Sequence, residues 1–295
     1  MSPKLVYHVH DNGILKAWRI NAVEKTFEDE LTVDGAKIYY ETAGQGDALL
    51  MVHAGFVDSR MWDAQFAFFA RSYQVIRFDM RGYGRSDPAQ GPVVRRNEIV
   101  SLMKHLGIPK AVLVGCSMGG AMVLDFALEH PDRTQALVLV STAPGGFELQ
   151  GEPPPGLFEM IAALQQNDLQ RASELQIQIW VDGMFRKPEQ VDPQVRQRAA
   201  EMNRIPVANQ TYLKVDLQPL QPLDPPAANR LKDVQIPTLV VAGALDHPEI
   251  LRAADYLAQG IPSAKKLILQ GSAHLPNMEQ PDAFNQAVFD FLQRE

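Results

Sequence analysis

Hydrophobic positions along this chain follow two periods. Residues 48–53, 73–79, 112–116, 135–140, 237–243 and 265–269 are short, mostly apolar runs rich in Val, Leu and Ile. Such runs suit strands buried on both faces of a parallel sheet. Between them lie stretches with helical spacing, at residues 61–70, 95–106, 121–128, 249–258 and 281–292. The last has Pro281 in its first turn and an apolar face of Ala283, Phe284, Ala287, Val288, Phe291 and Leu292. Strand and helix alternate, which predicts a parallel sheet covered by helices on both faces. Ahead of it, residues 27–33 and 36–41 flank Asp34-Gly35 and read as a β-hairpin.

The alternation stops at Ser141. Pro144-Gly145-Gly146 and Pro153-Pro154-Pro155-Gly156 form one breaker-rich linker, and Pro219, Pro222, Pro225 and Pro226 form another. Residues 157–217 between them are helical in pattern, with no strong strand. We therefore expect a helical cap at residues 144–232, inserted into a core made of residues 27–143 and 233–295. Residues 1–26 have irregularly spaced apolar positions, match no element, and are expected to be an N-terminal extension.

The 295 residues are 46% hydrophobic and 21% charged, with net charge −7 and scattered Lys and Arg. No basic patch is present, so nucleic acid is not an expected partner. The single cysteine, Cys116, permits no intrachain disulfide. No apolar run is long enough for a membrane span, and the N-terminus lacks a secretory h-region, so a cytoplasmic location is expected. No P-loop lysine, no H-E-x-x-H and no complete G-x-G-x-x-G is found, and His247 beside Asp246 is a pair, not a ligand set. No metal and no cofactor are expected.

The chemistry concentrates at Gly115-Cys116-Ser117-Met118-Gly119-Gly120, where the run 112–116 meets the helical stretch 121–128. A serine on a sharp strand-to-helix turn is a nucleophile elbow. A serine hydroxyl needs a general base, and the base needs an orienting group. Of the seven histidines, His274 alone lies on a glycine-containing loop after a late strand, Gly271-Ser272-Ala273-His274. Asp246, a short turn after the strand at 237–243, is the candidate acid. Asp79 also ends a strand but precedes Ser117, and with Arg77 it is expected to brace residues 81–87 through ion pairs. An acyl-transfer oxyanion needs preorganised donors. The backbone N–H of Met118 is one candidate. Phe56, in the loop His53-Ala54-Gly55-Phe56, is the other, and it can also line the pocket.

Together these motifs, with Asp79-Met80-Arg81-Gly82-Tyr83-Gly84-Arg85-Ser86 and Glu279-Gln280-Pro281, resemble an α/β-hydrolase of the lidded, esterase- and lactonase-like group. The resemblance runs from about Phe27 to Leu292. It implies a mostly parallel eight-stranded sheet flanked by helices, with the cap inserted. Two departures stand out. Relatives usually carry His-Gly where this chain has His53-Ala54, and the segment between Ser86 and Leu102 is short, which could clip the helix before the elbow. Relatives that open epoxides or remove halides carry Asp at the elbow, so Ser117 implies an acyl-enzyme. Cys116 is expected to be a buried small residue.

The expected activity is hydrolysis of a small-molecule carboxylic ester or lactone by Ser117, His274 and Asp246, in a monomer or homodimer. Trp180, Met184 and Phe185 of the cap are candidate pocket residues, while most other apolar cap residues are expected to hold cap helices together. Two other readings stand beside it. One is a carbon–carbon bond hydrolase of ring-cleavage products, which the same triad would serve. The other is a ligand-binding protein on the same scaffold without turnover.

Overall fold

The computed structural model describes residues 5–9, 15–19, 26–217 and 221–294. Near the start, β1 (Leu5–Val9) and β2 (Leu15–Arg19) pair antiparallel, with Leu5 opposite Arg19 and Val9 opposite Leu15. This corrects the expectation that the segment holds no element. Two five-residue strands are too short for alternation to stand out in the sequence. Residues 1–4, 10–14 and 20–25 lie outside the described residues.

The main sheet has eight strands. They are β3 (Phe27–Val33), β4 (Ala36–Ala43), β5 (Ala48–Val52), β6 (Gln74–Phe78), β7 (Ala111–Cys116), β8 (Thr134–Val140), β9 (Thr238–Gly243) and β10 (Ala264–Leu269). Their spatial order is β10-β9-β8-β7-β5-β6-β4-β3. The pairs β3–β4 and β4–β6 are antiparallel and all others parallel. Asp34 and Gly35 close the β3–β4 hairpin with positive φ at both, as an Asp-Gly turn allows.

The period of two sends side chains of each strand to opposite faces. Leu50, Val52, Leu113, Leu137, Leu139 and Val240 pack with Ile99, Leu102, Val123, Phe126 and Leu257 of α2 (Arg96–His105), α3 (Met118–Glu129) and α7 (Pro248–Gly260). Leu49, Met51, Val112, Val114, Val138 and Val241 pack on the other face with Phe66 and Phe69 of α1 (Asp63–Phe69) and Phe284, Val288 and Phe291 of α9 (Pro281–Leu292). β5, β7 and β9 are buried at every position, which explains their unbroken apolar runs. The helix before the elbow keeps ten residues and is closed two residues after its end by Gly107, whose φ is +66°.

Between β8 and β9 the chain forms α4 (Leu157–Gln165), α5 (Leu169–Ile177), a π-type turn Gln178–Asp182, α6 (Pro193–Asn209) and a second π-type turn Tyr212–Asp216. Among the described residues this insertion has no strand. Met160, Leu164, Ala172, Leu175 and Val207 make a small core of its own. Ile177, Val181, Ala199 and Met202 instead join the cluster on the sheet. One short helix that the sequence pattern did not suggest, α8 (Pro276–Glu279), follows the loop that carries His274.

Candidate active site

Ser117 stands between the end of β7 and the start of α3 with φ +53° and ψ −117°. A non-glycine residue in that region is strained and persists only where its surroundings fix it. Here the Ser117 N–H donates to the Val140 carbonyl at 2.8 Å, and the Ser117 carbonyl accepts from Thr142 Oγ1 at 2.6 Å. The flanking glycines are required by close approach. A Cβ at Gly115 would lie 2.3 Å from the Gly119 carbonyl oxygen, and one at Gly119 would lie 2.5 Å from the carbonyl oxygens of Val52 and His53. Cys116 is fully buried, and its thiol faces the His274 carbonyl at 3.7 Å. Burial, with Asp246 nearby, pushes that thiol's pKa well above its ordinary value.

Asp246 follows β9 in a tight turn, its N–H donating to the Gly243 carbonyl at 3.1 Å. Its carboxylate meets His274 Nδ1 at 2.9 and 3.0 Å, with both side chains buried. A carboxylate only accepts, so Nδ1 carries a proton, and in the neutral ring the lone pair is then on Nε2. The two loops are locked together. The Leu245 N–H donates to the Ser272 carbonyl at 2.9 Å, and a Cβ at Gly243 would lie 2.1 Å from the Ala273 carbonyl oxygen. The Ala273 N–H donates to Glu279 Oε1 at 2.8 Å, and Glu279 pairs with Arg186 of the insertion at 2.5 Å.

The Trp180 ring lies 4.9 Å from the His274 ring and stacks at 6.4 Å on Phe56, which is 6.4 Å from His274. Met184 and Phe185 are 46% and 54% exposed, outside this aromatic group. Met160 and Leu164 fill the insertion's own core. His247 caps α7, its Nδ1 accepting from the Glu249 N–H at 3.2 Å.

His53 is fully buried, which pulls its pKa down to about 4 and keeps the ring neutral. Its Nδ1–H donates to the Ala54 carbonyl at 2.8 Å while Nε2 accepts from the Met80 N–H at 2.9 Å. Both nitrogens are occupied, so His53 ties the loop 53–56 to the turn after β6 and is no base. The Ala54 N–H is directed at Met61 Sδ, 3.3 Å away. Gly55 lies against Met118, and a Cβ there would be 3.2 Å from Met118 Cε. Asn203 of α6 donates to the Phe56 carbonyl at 2.8 Å. Among the described residues, the N–H groups of Phe56 and Met118 find no acceptor.

Asp79 does brace the loop 81–87, but through backbone groups instead of ion pairs. Its carboxylate accepts from the N–H groups of Ser59 at 2.9 Å and Arg85 at 2.8 Å. Burial, with Asp58 nearby, raises its pKa to about 6. Arg77 sits opposite Glu41 in the β4–β6 ladder and pairs with it at 2.5 Å and with Asp63 at 2.6 Å. A cross-strand neighbour therefore claims the arginine.

Sequence reasoning missed a buried polar cluster beside the loop. The Tyr83 hydroxyl donates to the Gly55 carbonyl at 2.5 Å and also faces Asp216 of the insertion. Asp216 pairs with Arg95 at 2.5 Å. The one sequence signal was a large aromatic residue held between two glycines, Gly82 and Gly84. A cavity of about 270 Å³ lies next to this cluster, lined by Arg95, Met118, Met122, Asp125, Val215 and Asp216. A larger surface hollow of about 400 Å³ lies between α1 and α6, and none of Ser117, Asp246 or His274 lines it. Among the described residues, no group of three or more His, Cys, Asp or Glu could hold a metal ion, and no helix is long and apolar enough to cross a membrane.

The chain is 29% identical over 273 residues to a 2-hydroxy-6-oxo-6-phenylhexa-2,4-dienoate hydrolase of Burkholderia cepacia, covering 90% of this chain and 94% of that one. It is 28% identical to 3-oxoadipate enol-lactonase 2 of Acinetobacter baylyi, covering 91% and 97%. A solved hydrolase structure from Pseudomonas aeruginosa superposes with a TM-score of 0.74 at 29% identity, covering 90% of this chain and 98% of that one. The family model for the alpha/beta hydrolase fold matches residues 47–281. With its eight-stranded, mostly parallel sheet and flanking helices, this chain belongs to the alpha/beta hydrolase family.

Proposed function

We propose that this hydrolase cleaves a small carboxylic ester or lactone through an acyl-enzyme on Ser117. The observation that carries the reading is the pairing of the strained serine turn with the buried His274–Asp246 couple, whose backbone abuts the elbow at Cys116. His274 Nε2 takes the proton as Ser117 Oγ attacks the carbonyl carbon. The imidazolium that forms is stabilised by Asp246 on Nδ1 and gives its proton to the departing alkoxide. The open N–H groups of Phe56 and Met118 receive the tetrahedral oxyanion, and Met118 adds the positive end of α3. Water, deprotonated by His274, then releases the acid. The helical insertion, residues 144–232, acts as a cap on the core of residues 27–143 and 233–295, and Trp180 forms the pocket wall beside His274.

A second reading is supported by the Burkholderia cepacia relative, whose name describes a dienoate hydrolase. There the same groups would cleave a carbon–carbon bond. A fluorophosphonate probe with adduct mapping, run beside a graded series of p-nitrophenyl esters, lactones and dienone substrates, tests both. Labelling is expected at Ser117 and absent in Ser117→Ala, with ester turnover reduced at least about a thousandfold in that variant. Full activity in Ser117→Ala would overturn the nucleophile. Turnover confined to dienones would shift the reaction to the second reading.

A further inference from the structure

Resting on the oxyanion assignment above, we propose that Tyr83 is a positioning residue that aims and polarises the oxyanion amide at Phe56, under control of Asp216 in the cap. The Gly55 carbonyl and the Phe56 N–H belong to one peptide unit. In a trans peptide they point in opposite directions, so whatever fixes the carbonyl also aims the N–H. The Tyr83 hydroxyl donates to that carbonyl at 2.5 Å. A hydrogen bond to a peptide oxygen also withdraws electron density from its nitrogen and makes the N–H a stronger donor.

Tyr83 has a single hydroxyl proton and two acceptors, the Gly55 carbonyl and Asp216 Oδ2. Burial, with Asp216 beside it, pushes the phenol's pKa well above its ordinary value, so the proton stays on the ring oxygen. A carboxylate is the stronger acceptor and draws the proton away from Gly55. Arg95 opposes this by binding the other oxygen of Asp216 at 2.5 Å. The Tyr83 ring is held edge-on to His53, 5.0 Å between centroids, so the hydroxyl has little room to follow Asp216. Asp216 belongs to the insertion and Gly55 to the core. The position of the cap therefore sets how strongly Tyr83 serves the oxyanion amide.

Two variants on this one hydrogen bond should move kcat in opposite directions. Tyr83→Phe removes the donor, and kcat for a short p-nitrophenyl ester should fall about ten- to a hundredfold with KM within about twofold. In Asp216→Asn, Arg95 can bind only the amide oxygen, so the amide nitrogen faces Tyr83 and donates to it. The Tyr83 proton then goes wholly to Gly55, and kcat should rise above that of the native chain while KM also rises as the cap loses an ion pair. A trifluoromethyl ketone matched to the ester reports the oxyanion directly, since Ser117 adds to it and leaves the charge in the hole. Its Ki should rise in Tyr83→Phe by the same factor that kcat/KM falls.

Tyr39→Phe, which loses a buried hydroxyl on Glu41 away from the elbow, controls for stability alone and should keep native kcat. Unchanged kcat in folded Tyr83→Phe, or a Ki that does not follow kcat/KM, overturns the proposal. So does a kcat in Asp216→Asn that fails to rise, which also decides the matter if Tyr83→Phe does not fold. Activity surviving in Ser117→Ala would instead remove the acyl-enzyme reading, whatever Tyr83 does.

Discussion

Cys116 and Ser117 are neighbours with opposite fates. The period of two sends the thiol under the sheet's C-terminal edge, against the His274 backbone, while the turn lifts the serine out. Sulfur is the better nucleophile, but only as thiolate, and burial denies it that form. Native protein at about pH 8 should leave Cys116 unmodified by an aromatic disulfide reagent, with one thiol released only on unfolding. Prompt reaction of the folded chain would show the elbow to be more open than described. The elbow was legible in the sequence because its glycines answer a local need, the approach of α3 to β5 and β7. The contact between Tyr83 and Asp216 was not, because they meet across 133 positions of chain and share no local pattern.

The elements that make the site are held by bonds between the insertion and the core. Asn203 is fully buried on α6 and donates both to the Phe56 carbonyl at 2.8 Å and to Gln176 of α5 at 2.6 Å. Asn203→Ala strands the Phe56 carbonyl and should cost about 1–3 kcal/mol in urea unfolding. Because that carbonyl adjoins the amide proposed to receive the oxyanion, kcat should fall as well. An unchanged kcat would confine Asn203 to stability. The sheet strands and most helices were legible as elements, since a strand buried on both faces must be apolar throughout. The hairpin of β1 and β2 was not, its strands being too short to display a period. Arg77 was legible as a strand residue, but its partners depended on the β4–β6 register, which the sequence does not display.

Across the whole molecule, burial holds several carboxyls near neutrality. Glu98 of α2 is almost fully buried, and its pKa rises to about 7 despite the opposing charge of Arg95. Below its unfolded value near 4.5 both states are protonated and folding is not penalised. Between that value and the folded value of about 7 the unfolded chain ionises while the native carboxyl stays protonated, so stability falls across this window and the loss is complete above it. Glu98→Gln should therefore be near neutral at about pH 4 and stabilising by about 2–3 kcal/mol at about pH 8. A difference that does not vary with pH would place the native carboxyl's proton elsewhere.

The insertion's split packing bears on how such enzymes could be recombined. Part of the insertion, around Met160, Leu164, Leu175 and Val207, keeps a small core of its own, but Ile177, Val181, Ala199 and Met202 belong to the cluster lying on β5, β7 and β9. A chimaera that exchanges residues 144–232 for another protein's segment would carry a foreign surface onto that face and open cavities at four positions at once. Donor segments that preserve the volumes of those four side chains should accept new substrates without losing the fold. Donors chosen for pocket residues alone should yield chains that bind little and melt early.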